Sequence, residues 1–106
     1  MTTLSNTFAA LGDPTRFAIV ERLLQDGELP AGTLHSVSDL SAPAMSRHLK
    51  VLRSAGVVRQ RVDKQRRLYS IDPAAMQAIN DWAMSYPKFW AKSLDRLDAT
   101  LKEDRS

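Results

Sequence analysis

Basic residues are concentrated in one segment of the chain, residues 42–67. This segment contains eight Lys or Arg residues and a single Asp, a formal charge of about +7. The rest of the 106-residue chain is net acidic, so the overall charge of +3 hides a polarised molecule. Clustered cations of this kind are typical of surfaces that bind the phosphates of nucleic acids. A solvated charged face without a ligand is the alternative.

The first part of this segment is predicted to be a helix narrow enough for the major groove of DNA. Ser41 is a good N-cap, and Pro43 fits a first helical turn, where no backbone N–H is required. Met45, Leu49 and Leu52 then share one face, at spacings of four and three. The residues predicted on the opposite face are Pro43, Arg47, Lys50 and Ser54.

A basic hairpin is predicted directly after this helix, which should end at Gly56. Apolar and basic residues alternate from Val57 to Val62 and again from Arg67 to Ile71, as in two half-buried antiparallel strands. The loop between them, residues 63–66, contains no hydrophobic residue. Such a hairpin could lie along the phosphates that flank the groove.

The exposed residues of this helix and hairpin differ in the groups they could contact. Arg47 could bond a guanine bidentately or bind phosphate, and Ser46 could bond a base edge or phosphate. Pro43 and Ala44 offer apolar contact, for example to a thymine methyl group, whereas Lys50 is better placed for phosphate. The predicted DNA-binding residues are Ala42, Pro43, Ala44, Ser46, Arg47, Lys50, Lys64, Arg66 and Arg67.

Helical periodicity also accounts for the chain before this segment. A short first helix is followed by a second that begins at Pro14 after an Asp13 cap. The second helix is predicted to bury a broad stripe, which consists of Phe17, Ile19, Val20, Leu23 and Leu24. Residues 28–31 are expected to be a connector. A short third helix at residues 32–37 would then form a helix-turn-helix with the helix capped by Ser41.

The C-terminal third is predicted to be an aromatic-rich helix. Asp72 caps it, Pro73 begins it, and Pro87 should kink it or force a restart near Ser85. Its apolar stripe exceeds what the thin core of so short a chain can cover, which favours a homodimer interface shared with the first helix. The predicted interface residues are Leu4, Phe8, Leu11, Trp90, Leu94, Leu97 and Leu101.

Three motifs resemble the ArsR family of winged helix-turn-helix repressors: LGDPTRFAIVERLL, SAPAMSRHLKVLRSAGVV and RRLYSID. The resemblance covers residues 4–72, and the tail INDWAMSYPKFWAKSLDRLDATL is similar to that of a branch ending in an aromatic-rich helix. It implies a mainly helical fold with five helices and a hairpin wing. It also implies a homodimer that represses transcription from an inverted-repeat operator, and it places Pro43, Ser46 and Arg47 on the DNA-facing side. Many members carry a glutamine or another polar residue in place of Ala42, so this chain lacks one polar side chain that could contact a DNA base.

The resemblance also implies that residues 1–106 form one domain whose segments have separate roles. Residues 31–55 would form the helix-turn-helix and residues 56–72 the wing. Residues 1–12 and 73–103 would form the dimerisation helices. The operator, the regulated genes and any small-molecule inducer are not specified by the sequence.

Metal binding and catalysis have little support in the residue types. Cysteine is absent, and the third helix of metal-sensing relatives carries a thiol pair where residues 28–33 have none. The last helix has carboxylates but no His, and carboxylates alone bind zinc poorly. His48 is expected to pack against the core or touch phosphate. The sequence offers no pair of a nucleophile and a base that would indicate an enzyme. We therefore expect no metal, no cofactor and no catalytic activity.

Two alternatives remain open at this point. The amphipathic last helix could make the chain a protein-interaction module, although this leaves the cationic cluster unexplained. The second alternative is a metal-responsive repressor that binds its metal through atypical ligand residues. Because no apolar run approaches 18 residues and no signal pattern begins the chain, a cytoplasmic protein without membrane contact is expected.

Overall fold

Helices and short strands alternate along the protein, whose computed structural model describes residues 3–104 and their side chains as far as Leu101. The elements are α1 (Leu4–Leu11), α2 (Pro14–Asp26), β1 (Leu29–Pro30), α3 (Ala31–Leu34), α4 (Ala42–Ser54), β2 (Val58–Asp63), β3 (Arg66–Ile71), α5 (Pro73–Met84) and α6 (Pro87–Asp104). A 3₁₀ turn, His35–Val37, follows α3. Tertiary contacts divide the chain into two compact units, with the boundary between Met76 and Gln77.

Capping side chains determine where α2 and α4 begin. Asp13 Oδ2 accepts the backbone N–H of Arg16 at 3.0 Å, and Ser41 Oγ accepts that of Ala44 at 3.3 Å. Each bond satisfies one of the free donors of a first helical turn. Beyond α4, Gly56 has a φ of 77°, which a residue without a Cβ adopts at little cost. The predicted starts of both helices and the turn after α4 are confirmed.

The predicted C-terminal helix is two helices separated by a break. α5 ends at Met84, and α6 begins at Pro87, which fits a first helical turn because it needs no N–H donor there. Ser85 closes α5, since its backbone N–H and its Oγ both donate to the Trp82 carbonyl, at 3.1 and 2.7 Å. The described residues therefore form six helices rather than the expected five.

A third strand joins the predicted hairpin. β2 and β3 pair antiparallel, and β1 pairs with the other edge of β3, where Leu29 lies opposite Tyr69. β3 is therefore the central strand. The expected connector at residues 28–31 was wrong in part, because a two-residue strand is too short to show an alternating pattern.

The core of the first unit packs α2, α3 and α4 against the sheet. Its buried residues are Ala10, Ile19, Val20, Leu23, Leu34, Met45, Leu49, Leu52, Ala55, Val57, Val58 and Tyr69. The stripe predicted on α4 is thus confirmed. The stripe predicted on α2 was too broad, because Phe17 and Leu24 are 50% and 53% exposed. Both lie about 100° around the helix from the centre of its buried face. No helix in the described part of the chain is long and apolar enough to span a membrane.

Candidate nucleic-acid interface

α4 presents a basic face to solvent while its other face is held in the core. The predicted contact residues on this helix are exposed, except Ala44, which is half-buried. Arg47 and Lys50 form no ion pair with any of the side chains described, those of residues 3–101. Their charges are therefore not compensated by the protein itself and are available to an external anion.

The wing is attached rigidly to the C-terminal end of α4. The Val57 N–H donates to the Leu52 carbonyl at 3.0 Å, and the Asp72 N–H donates to the Val57 carbonyl at 2.9 Å. Leu52 and Val57 are both fully buried. Residues that are locked by packing and by backbone bonds can hold a recognition surface in a defined geometry.

Two of the basic residues in the wing are neutralised by acidic partners. Arg61 binds Glu28 bidentately, with Nε–Oε2 and Nη2–Oε1 distances of 2.8 and 2.6 Å. Arg59 Nη2 donates to Asp72 Oδ1 at 3.1 Å. These contacts join the base of β2 to the segment before β1 and to the start of α5. Both arginines therefore connect the wing to neighbouring segments, and neither was in the predicted DNA-binding set.

The remaining cations of the wing lie at its tip. Lys64, Arg66 and Arg67 are exposed, and none of them forms an ion pair with another residue of the described chain. β2 and β3 are joined by Lys64 and Gln65 alone, and Lys64 has a φ of 58°. The structure thus brings the three predicted wing residues together as uncompensated charges, separate from the paired arginines at the base.

Known proteins are similar to this chain over the helix-turn-helix and into the first strand of the wing. A family model described as a helix-turn-helix domain matches residues 11–61. The chain is 42% identical to the HTH-type transcriptional regulator Rv2034 of Mycobacterium tuberculosis over 85 residues, which cover 80% of this chain and 76% of that protein. It is 31% identical to the transcriptional repressor SdpR of Bacillus subtilis over 83 residues, 78% of this chain and 91% of that one.

Solved structures agree with this assignment. The ArsR family transcriptional regulator RHA00566 superposes with a TM-score of 0.73 at 27% identity, over 83% of this chain and 90% of that one. The chain belongs to the ArsR family. A possible transcriptional regulator for arsenical resistance superposes with a TM-score of 0.67 at 33% identity, over 89% and 94% of the two chains. The protein is therefore a winged helix-turn-helix regulator of transcription that binds DNA.

The ion pairs at the base of this ArsR wing change the titration of their carboxylates. The bidentate hydrogen bonds from Arg61 hold the pKa of Glu28 below its ordinary value. The pKa of Asp72 is also lowered, first by the backbone N–H of Ala74 and then by Arg59. A carboxyl group whose pKa is lowered by folding stabilises the folded state at pH values above its ordinary pKa. This contribution is lost as the pH falls through the lowered pKa. The contribution of both pairs to stability is therefore present in neutral solution and is lost on acidification.

An Arg61→Gln substitution is expected to raise the pKa of Glu28 towards its ordinary value. The amide keeps some hydrogen-bonding capacity but removes the positive charge that stabilises the carboxylate. An NMR titration that follows the Glu28 carboxyl carbon measures this directly. Lys64→Gln, which removes a charge from the wing tip instead, should leave that pKa unchanged. An identical pKa in wild type and Arg61→Gln would show that the pair does not persist in solution.

His48 is a half-buried residue of α4 whose side chain lies against the start of α2. Its Nδ1 is 3.3 Å from Arg16 Nη1 and 3.9 Å from Asp13 Oδ2. Arg16 Nε also donates to the Ala10 carbonyl at 2.7 Å, which ties α2 to α1. The pKa of Asp13 is lowered, chiefly because its carboxylate accepts the Arg16 backbone N–H. Of the two roles expected for His48, packing is the one that this geometry favours.

The predicted dimer residues of the ArsR chain differ in exposure. On α6 all four are exposed: Trp90, Leu94, Leu97 and Leu101. On α1, Phe8 is exposed and Leu4 is half-buried, but Leu11 packs against the core of its own chain. The buried residues of α1 are Thr7 and Ala10. The α1 stripe is therefore turned partly inward, whereas the α6 stripe is open.

Aromatic side chains surround the break between α5 and α6. Trp82 meets Tyr86 edge to face with ring centroids 6.3 Å apart, and Phe89 meets Trp90 in the same way at 5.2 Å. Trp90 Nε1 donates to the Ala83 carbonyl, which ties the start of α6 back to α5. These residues leave an apolar cavity of about 320 Å³. Such edge-to-face pairs are favourable arrangements of aromatic rings and add to the contacts around the break.

No group of three or more metal-ligating side chains that could hold an ion occurs among the side chains of residues 3–101.

Proposed function

We propose that this ArsR protein binds an inverted-repeat operator as a homodimer and represses transcription by occupying promoter DNA. One observation carries the proposal: among the described side chains, the cations of α4 and of the wing tip form no ion pair, whereas Arg59 and Arg61 at the wing base are paired with Asp72 and Glu28. A surface with free charges on a helix and on a neighbouring hairpin fits a duplex, which presents phosphates on both sides of a groove. Because the ligand is promoter DNA, we assign this activity to the cytoplasm.

In this arrangement α4 enters the major groove and the wing follows the backbone. Arg47 and Ser46 lie towards the N-terminal end of α4, where recognition helices contact base edges. Their apolar neighbours Ala42, Pro43 and Ala44 suit thymine methyl groups, and Lys50 suits phosphate. The wing-tip residues Lys64, Arg66 and Arg67 then bind flanking phosphates.

Homodimerisation supplies the second half-site. The open stripe on α6 is an apolar surface that a folded protein normally covers, and within the first unit Phe8 of α1 is exposed as well. The relative SdpR is itself described as a transcriptional repressor. The same α6 surface would suit a protein-interaction module, but that alternative gives the free charges of α4 no role. No cofactor, metal or catalytic step is needed for the function proposed.

Selection of bound sequences from random duplex DNA tests the proposal. The enriched sequences should contain two symmetric halves whose centres are about 10 base pairs, one helical turn, or a multiple apart. Affinity for the selected site should fall linearly on a double-logarithmic plot against salt. A duplex with one scrambled half is the control and should bind more weakly. Failure to enrich any sequence, together with affinity that does not depend on salt, would contradict the proposal.

A further inference from the structure

A groove between α1 and α4 lies beside the proposed DNA-binding face and shares Arg47 and Lys50 with it. Its volume is about 640 Å³, within the range of sites that bind small organic molecules. Ala9 and Ala10 line it from α1, and Val51 and Ala55 line it from α4. Ala10 and Ala55 are buried, whereas Ala9 and Val51 are exposed. The floor is therefore apolar and built from short side chains, which leave the space open.

The rim of this groove is cationic. Arg16, Arg47 and Lys50 line it, and no Asp or Glu occurs among the described residues that do so. None of the three forms an ion pair with a carboxylate in the described chain. Arg16 is part-buried: its Nε donates to the Ala10 carbonyl, its Nη1 lies 3.3 Å from His48 Nδ1, and its charge interacts with the nearby Asp13 carboxylate. Positive charge over an apolar floor gives a site that favours an anion with an apolar body.

We propose that this groove binds a small amphipathic carboxylate. The aryl or alkyl body lies on the alanine floor, and the carboxylate pairs with the cations of the rim. Because Arg47 and Lys50 also face DNA, the bound carboxylate competes with the operator and acts as an inducer. The competition rests on the proposed function, whereas binding in the groove does not.

Titration of 2-naphthoate into the ¹⁵N-labelled full chain, at constant ionic strength and without DNA, tests the groove itself. We expect saturable amide shifts confined to residues 6–10, Arg16 and residues 47–55. The neutral analogue 2-naphthamide has the same apolar body without the charge and should bind about tenfold more weakly, because charge-assisted bonds are the stronger ones. Absence of saturable shifts in these residues, or equal affinity for the two compounds, would overturn the proposal.

A variant that fills the groove separates ligand binding from DNA binding. Ala9→Leu places a larger side chain over the floor without removing a cation, and should weaken 2-naphthoate binding by about tenfold or more. Gln25→Leu adds the same side chain at an exposed position of α2 that does not line the groove, and should bind 2-naphthoate as wild type does. The ¹⁵N spectra of both variants establish that they are folded.

Competition experiments then compare the same three proteins on the selected operator. 2-Naphthoate should lower the operator affinity of wild type and Gln25→Leu but not that of Ala9→Leu. If the Ala9→Leu substitution weakens operator binding without any 2-naphthoate present, the groove is part of the DNA contact and the inference fails. If 2-naphthoate occupies the groove but leaves wild-type affinity unchanged, the inducer role fails. If the protein binds 2-naphthoate but no duplex at all, the proposed function fails and the groove assignment stands.

Discussion

Leu97→Glu on α6 is expected to convert the protein from a dimer to a monomer. Leu97 is 56% exposed in the single chain, in the middle of the open α6 stripe. If a partner chain covers this stripe, a carboxylate introduced there loses its hydration without gaining a cation. Light scattering at micromolar concentration should give twice 11.8 kDa for wild type and 11.8 kDa for the variant.

The same substitution should weaken operator binding about 10²–10⁴-fold. A monomer binds each half-site separately and loses the effective concentration that links the two halves. Lys92→Gln is the matched control, because it also lowers the net charge by one but lies on the opposite face of α6. It should remain dimeric and should bind the operator nearly as wild type does. A monomeric wild type at every concentration would remove the basis for two-fold operator recognition.

Arg47→Ala is expected to lower affinity for the preferred operator by about 1–3 kcal/mol, with a smaller loss on random DNA. The reason is that Arg47 lies near the N-terminal end of α4 with its guanidinium free, where a bidentate contact to guanine is possible. Arg53→Ala is the matched control, since Arg53 lies on the last turn of the same helix. Arg53→Ala should reduce the preference for the operator over random DNA much less than Arg47→Ala does. Titrations on both kinds of DNA at several salt concentrations measure the difference.

The wing tip should contribute affinity without selectivity. The double variant Lys64→Ala with Arg66→Ala is expected to weaken operator and random DNA alike. Each lost phosphate contact should reduce the salt slope by about one per protomer. Arg59→Ala with Arg61→Ala removes the same charge from the wing base, where acidic partners already neutralise it, and should change the slope less. If the tip variant lost selectivity while Arg47→Ala lost only general affinity, the two roles would be reversed.

Local signals in the sequence predicted the helix boundaries well. The Asp13 cap, the Ser41 cap and the turn at Gly56 each depend on bonds or torsions within a few residues, so the residue types alone indicate them. The buried face of α4 was likewise predicted, because its apolar residues recur at helical spacing. The assignment of particular residues to DNA contact stays a prediction.

Features that depend on distant residues could not be predicted. The partner of Arg61 is Glu28, 33 positions earlier in the chain, and no local pattern connects the two. For this reason the sequence did not separate the neutralised arginines of the wing base from the free cations of its tip. The same holds for β1, whose pairing with β3 is long-range, and for the groove beside α4, which exists only because α1 packs there.

Apolar residues on the flank of a helix were another source of error. Phe17 and Leu24 were assigned to the core because they extend the α2 stripe, but the core covers only the arc that contains Ile19, Val20 and Leu23. Periodicity gives the direction of a buried face, whereas its width depends on the size of the neighbouring elements. A sheet of short strands covers less of α2 than its apolar residues suggest.

The pairing of β1 with β3 bears on protein engineering, because it sets the smallest fragment that carries the DNA-reading surface intact. A graft of residues 31–55 alone would take the recognition helix but leave behind the strand that immediately precedes α3. Such a graft would also lack the Arg61–Glu28 ion pair and the Asp72–Val57 backbone bond, because all four residues lie outside it. A transplantable cassette for chimeric regulators therefore begins before Glu28 and extends through Asp72, and it needs a host surface that replaces α2 beneath α4.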